Sequence, residues 1–277
     1  MMPGMTDSAR QGPAISAHRG GSENAPGGTY RAYRGALAAG AEYVEVDVWR
    51  TADGVLVARH RARAGWGHAV GSLSYARLCE LAGYEVPRIA AVLPLLAGRA
   101  IAHLDLKEAG CAAEAVQQAA EVLGPAGVIA TTRDSAVAAS VKRHVPAVPV
   151  GVTVGDDLAE TTGLALRRGY PLGPGRLDRV LAAHGDWAVL HHRAARPALL
   201  DACRGRGIKT MVWTVNSDRA LARWLADPRV DVVVTDRPAR ARALRDGRDQ
   251  AAPTGGHKLC GDCLQIVVGL SGETASR

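Results

Sequence analysis

Eight short β-rich runs recur along the chain, most of them separated by stretches long enough to cross back over a sheet, and that alternation constrains the fold more than any other feature. The runs are AISAHRG (14–20), YVEVDVW (43–49), IAHLDLK (101–107), GVIATTR (127–133), VPVGVTV (148–154), DWAVLHH (186–192), KTMVWTV (209–215) and VDVVVTD (230–236). Ala- and Leu-rich segments at 29–39, 111–123, 134–144 and 217–226 are predicted helices. Repeated βα units predict a parallel α/β sheet, and eight strands close it into a (β/α)8 TIM barrel. A length of 277 residues suits one such domain, and with no Phe in the chain the core has to be filled by Ala, Val, Leu and Ile.

Residues 1–12 are expected to form a flexible leader, 13–245 the barrel, and 246–277 a disordered tail outside it. GVLVARH (54–60) follows the second strand across a TADG turn and is predicted to extend the barrel top as a hairpin. RARAGWGHAVGSLSYARL (61–78) then reads as a short insertion over the mouth. The tail carries HKLCGDC, but one CxxC with one His lacks a fourth zinc ligand at the usual spacing. Five cysteines, widely spaced in the body, do not make a disulfide framework, so reduced thiols in a cytoplasmic protein are expected. No signal-peptide pattern and no run near ~18 apolar residues is present, which argues against stable membrane insertion. The net charge of +7 is carried by arginines interleaved with acids, a pattern of a solvated surface and not of a nucleic-acid groove.

Chemistry gathers at the carboxyl ends of the predicted strands, where barrel enzymes place their catalytic groups. Glu45 and Asp47 are two apart on one strand and therefore project to the same face. With Asp105 from the third strand they offer oxygen ligands suited to Mg²⁺ or Ca²⁺, or alternatively a salt-bridge cluster around Lys107. His18 and His60 end segments that flank these acids and could supply a general base and a general acid. Arg19 and Lys107 could hold a phosphate, a division of labour that suits displacement at phosphorus.

The segment HRGGSENAPGGTYRAYRGALAAGAEYVEVDVWRTADGVLVARH (18–60) resembles the signature of the glycerophosphodiester phosphodiesterases: His-Arg-Gly, then Glu-Asn, then Glu-x-Asp, then Thr-x-Asp-Gly and a second His. VPRIAAVLPLL (86–96), VWTVN (212–216) and VDVVVTDRP (230–238) are similar in kind to later family segments. The resemblance implies a barrel in which Glu45, Asp47 and Asp105 bind a divalent metal, Mg²⁺ or Ca²⁺ with Mn²⁺ also in range, and His18 and His60 are acid and base. It further implies phosphate contacts from Arg19 and Lys107, support of the site by Glu23 and Asn24, and a substrate pocket lined by Trp213, which simple core filling would explain equally well. The small-molecule substrate would be a glycerophosphodiester, cleaved to sn-glycerol 3-phosphate and an alcohol. Alternatives are phospholipase D-type cleavage of lysophospholipids or sphingolipids, and a silent barrel that only binds a phosphodiester. The chain departs from the family pattern at Arg61, where Asp is usual, and at Asp105, where Glu is usual.

Overall fold

In the computed structural model, which describes residues 12–65, 67–154 and 177–247, every one of the eight predicted runs contributes a strand to one sheet. The strands are β1 (Ala14–Ala17), β2 (Tyr43–Arg50), β3 (Leu56–Ala58), β4 (Arg63–Ala64), β5 (His68–Ala69), β6 (Ile101–Leu106), β7 (Val128–Thr132), β8 (Val150–Val154), β9 (Trp187–His191), β10 (Lys209–Trp213) and β11 (Val232–Thr235). All except β3, β4 and β5 run parallel to their neighbours, and β1 pairs with both β2 and β11, which closes a (β/α)8 barrel. Around it lie α1 (Tyr30–Ala38), α2 (Tyr75–Ala82), α3 (Ile89–Leu96), α4 (Ala112–Leu123), α5 (Ser135–His144), α6 (Leu177–Ala182), α7 (Pro197–Arg204), α8 (Asp218–Leu225) and α9 (Pro238–Arg245). The HKLCGDC segment and almost all of the expected leader and tail fall outside the described residues.

Local chemistry explains where the helices begin. Thr29, Ser74, Asp134 and Ser217 each accept a hydrogen bond from a backbone N–H in the first turn, each cap worth about 1 kcal/mol. Pro197 and Pro238 open α7 and α9, where a missing N–H costs nothing. The main core between strands and helices is built from Ala, Val, Leu and Ile, as a chain without Phe requires. Inside the barrel a smaller apolar layer joins Ala14, Ile129, Trp187, Val189, Met211, Val232 and Val234. Gly151 shows how tightly that interior is filled: a Cβ there would lie 3.0 Å from Val189 Cγ2 and 3.1 Å from Trp187 Cβ.

Two segments differ from the sequence reading. The first strand stops at Ala17, and His18–Gly20 form a tight turn in which Arg19 adopts the left-handed conformation (φ 54°). That costs a non-glycine residue roughly 1–2 kcal/mol, offset by bonds from Arg19 N–H to Glu45 (3.0 Å) and from Gly28 N–H to the Arg19 carbonyl (2.7 Å). Gly20 is needed there because a Cβ would lie 2.8 Å from the α1 backbone at Ala32. The 61–78 insertion is more structured than its punctuation implies. It contains the β4–β5 hairpin and the start of α2, packed on its own cluster of Val57, Ala64, Val70, Leu73, Leu78 and Val86. Before it, β3 runs antiparallel to the end of β2 and returns the chain to the level of Asp47, whose carbonyl accepts from Arg59 N–H at 3.0 Å.

No helix among the described residues is long and apolar enough to cross a membrane. Cys79, Cys111 and Cys203 are free thiols.

Candidate active site

Strand register stacks the polar residues in layers. Glu45 lies beside His103 and Asp47 beside Asp105 across β2 and β6, while Asp105 lies beside Thr131 across β6 and β7. Because inward positions alternate, Glu45–Asp47 on β2, His103–Asp105–Lys107 along β6 and Thr131–Arg133 along β7 rise toward the same end of the barrel. That end opens into a pocket lined by His18, Arg19, Glu45, His60, Asp105 and Lys107, with Trp213 and Arg133 on a further wall.

Glu45, Asp47 and Asp105 bring one oxygen each within 4.8 Å of one another, a cluster able to hold a metal ion. The Lys107 ammonium bonds Asp47 at 2.8 Å and also Asp105. Burial works against its charge, but Asp105, Asp47 and Glu45 outweigh burial and hold its pKa above the ordinary range. Burial likewise opposes ionisation of Asp47, yet the His60 hydrogen bond and Lys107 keep it well below the usual carboxylate range. Glu45 goes the other way: burial, reinforced by Asp47 and Asp105 against the pull of His18, raises it to about 7. The protein's own cations thus satisfy Asp47 and leave the third carboxylate short of positive charge, which is the condition a bound divalent cation would relieve.

Both histidines are pinned at one nitrogen by a carboxylate. His18 Nδ1 lies 2.7 Å from Asp236 Oδ1, and His60 Nδ1 lies 3.2 Å from Asp47 Oδ1. Such a bond fixes the ring and leaves Nε2 for proton transfer. His18 Nε2 stands 3.6 Å from Glu45. Burial lowers the His18 pKa, but Glu45 and the bond to Asp236 more than compensate, so it is raised. Asp236 is itself clamped by Asn216, which donates to its carboxylate and accepts from its N–H at 2.9 Å.

Beneath the acids, His103 is buried, its Nδ1 3.1 Å from Ser16 Oγ and its Nε2 2.9 Å from Thr131 Oγ1. Burial pushes its pKa down to about 4. The unfolded chain therefore binds a proton that the folded one refuses between pH 6.5 and about 4, and stability contributed by neutral His103 is lost as pH falls through that window. Against His103→Asn, wild type is expected to lose about 3 kcal/mol more between pH 7 and 4. Urea melts of both proteins across that range check this, and parallel curves would remove His103 from the account. Taking the difference cancels the opposite trend that Glu45 contributes.

The structure brings His18, Arg19, Glu45, Asp47, His60, Asp105 and Lys107 together, with Trp213 on the wall of the same pocket. Trp213 stands edge-on to His191 and its buried indole N–H has no partner among the described residues. Glu23 and Asn24 are placed differently. Glu23 accepts from the N–H groups of Ala239 and Arg240, capping α9, and Asn24 is exposed beside it. Neither bonds the acidic cluster. Arg61 is exposed, with no carboxylate against its guanidinium among the described residues. The sequence reading gave no role to Asp236, Asn216, Thr131, His103 or Arg133. Alternation along GVIATTR would have found Thr131 and Arg133, whereas Asp236 depends on the last strand closing against the first.

A closed parallel barrel that gathers two buried acids and a half-buried third beside a Lys and an Arg at its carboxyl end has the equipment of a barrel enzyme acting on an anionic ester. The sequence model of the Glycerophosphoryl diester phosphodiesterase family matches residues 18–91 and 100–240. The chain belongs to that family and is a phosphodiesterase. It is 25% identical over 246 residues to a glycerophosphodiester phosphodiesterase from Caldanaerobacter subterraneus subsp. tengcongensis, covering 81% of this chain and 94% of that one. Among solved structures, a glycerophosphodiester phosphodiesterase from Agrobacterium tumefaciens superposes with a TM-score of 0.67 at 25% identity, covering 85% of this chain and 100% of that one. An Oleispira antarctica phosphodiesterase in complex with the product sn-glycerol-3-phosphate shares the fold, with a TM-score of 0.68, 20% identity and coverage of 85% and 97%.

Proposed function

We propose that this chain hydrolyses glycerophosphodiesters to sn-glycerol 3-phosphate and an alcohol, using a divalent metal at Glu45, Asp47 and Asp105 and His18 and His60 as acid and base. The observation that carries this reading is the pair of imidazoles, each held at Nδ1 by a carboxylate, lining one pocket with a three-carboxylate cluster. The product held by the Oleispira antarctica relative supports the choice of substrate.

The donor set, all oxygen and partly starved of positive charge, fits a hard cation such as Mg²⁺, Ca²⁺ or Mn²⁺. When bound, such an ion supplies Lewis acidity toward a phosphoryl oxygen. The chain's own groups do the rest. Arg19 and Lys107 attract the phosphodiester and stabilise charge that develops on its oxygens. One imidazole takes the proton of the attacking hydroxyl while the other delivers a proton to the departing alkoxide. Trp213 offers an aromatic wall to the glycerol moiety.

The exposed large hydrophobics among the described residues, Tyr84, Val122 and Leu181, do not line this pocket, so none of the described residues gives it the apolar lip that a lysolipid would favour. Purified protein with each of the three metals, given glycerophosphocholine, glycerophosphoethanolamine, glycerophosphoinositol and lysophospholipids, tests the proposal by product identity. Release of sn-glycerol 3-phosphate is the expected outcome. Turnover confined to lysophospholipids would replace the reading by the phospholipase D type, and metal binding without any turnover would leave a binding barrel.

A further inference from the structure

Beside this pocket the structure holds a second, more open cleft, and the two share His60, Asp105, Lys107 and Arg133 in their walls. The glycerol-side wall, with Trp213, belongs to the first. Trp49, Glu108 and Asp134 belong to the second. Trp49 is the next inward position above Asp47 on β2, and its indole N–H is buried without a partner among the described residues.

The cations of the shared wall are turned toward the first pocket. Lys107 is tied to Asp47 and Asp105, and the Arg133 guanidinium leans over the Trp213 ring at 5.9 Å, toward the first pocket. At the far end stand the two carboxylates. Glu108 accepts only a long bond from Arg50 N–H (3.4 Å), and Asp134 caps α5 through Ala136 N–H (2.8 Å). Neither has an ion-pair partner among the described residues. A cleft lined by an indole and by two carboxylates without an ion pair among the described residues attracts an organic cation, through the ring quadrupole and through charge. A phosphodiester seated between the two clefts places its glycerol on the Trp213 side and its other alcohol on the Trp49 side.

We propose that the Trp49–Glu108–Asp134 cleft receives the leaving alcohol and selects alcohols that carry an ammonium group. This rests on the phosphodiesterase reading above and adds the identity of the second half of the substrate. The test compares kcat/KM of the metal-loaded protein for glycerophosphocholine and glycerophosphoethanolamine with that for the uncharged-alcohol diesters glycerophosphoglycerol and glycerophosphoinositol. The cationic pair is expected to be favoured by about tenfold or more. The ratio should fall part of the way in Glu108→Gln and in Asp134→Asn, which keeps its capping oxygen, and approach unity in the double variant. Because a ratio is read, loss of folded protein does not mimic the result. Equal kcat/KM for all four diesters in wild type, or a ratio untouched by both substitutions, would overturn the cleft assignment alone. No turnover of any of the four with any of the three metals would overturn the hydrolase reading beneath it.

Discussion

His18→Ala is expected to lower kcat on a glycerophosphodiester by roughly two to four orders of magnitude, the usual scale for a positioned acid or base. The barrel should survive, because His18 sits in a turn at the pocket and not in the packed layers. The more discriminating variant is Asp236→Asn, which keeps the size of the side chain and removes the charge that orients the ring. Its expected effect is about ten- to a hundredfold in kcat with KM held, since such a partner positions the imidazole without touching the substrate. Steady-state kinetics with a circular-dichroism check on folding measures both. Near-normal turnover in His18→Ala would return that residue to the barrel lining.

The second large effect concerns the acids. Chelation is expected to abolish turnover, and Glu45→Gln to lose measurable divalent affinity by calorimetric titration. The same substitution should stabilise the metal-free protein. Glu45 is raised from 4.5 to about 7 by folding, so ionising it in the folded chain near neutral pH works against the fold. That penalty is absent below the unfolded value and grows as pH rises from 4.5 to 7, reaching about 3 kcal/mol. Urea melts in chelator at pH 7.5 should therefore show Glu45→Gln more stable than wild type, with the gap closing toward pH 4.5. Unchanged metal affinity, or activity undiminished by chelator, would remove the metal from the proposal.

Much of this was legible in the chain because alternation is a strict geometric rule. Glu45 and Asp47 had to share a face if YVEVDVW was a strand, and IAHLDLK had to aim Asp105 and Lys107 the same way. What alternation cannot supply is contact between distant elements and departures from regular backbone. The left-handed Arg19 ended the first strand early, through bonds to Glu45 and Gly28 that no local pattern encodes. Lys107 bonds Asp47 and Asp105, the salt-bridge alternative that alternation leaves open, and only the closed register shows how near the three lie. Glu23 went to a helix end 216 residues away, a destination fixed by where α9 returns to the first βα turn.

The bond between His18 and Asp236 spans 218 residues and joins the first strand's end to the last strand's end. During synthesis Asp236 is made long after His18, so a ribosome-tethered chain can display the first histidine, the acids and the hairpin histidine without a properly oriented ring. On the proposed mechanism the His18–Asp236 pair would form only with the final strand, so catalytic alignment would be a late event of folding. A circular permutant that fuses the neighbouring ends near Pro13 and Arg245, already in contact at 3.3 Å, and reopens the chain in an outer loop would reverse this order and assemble the dyad early.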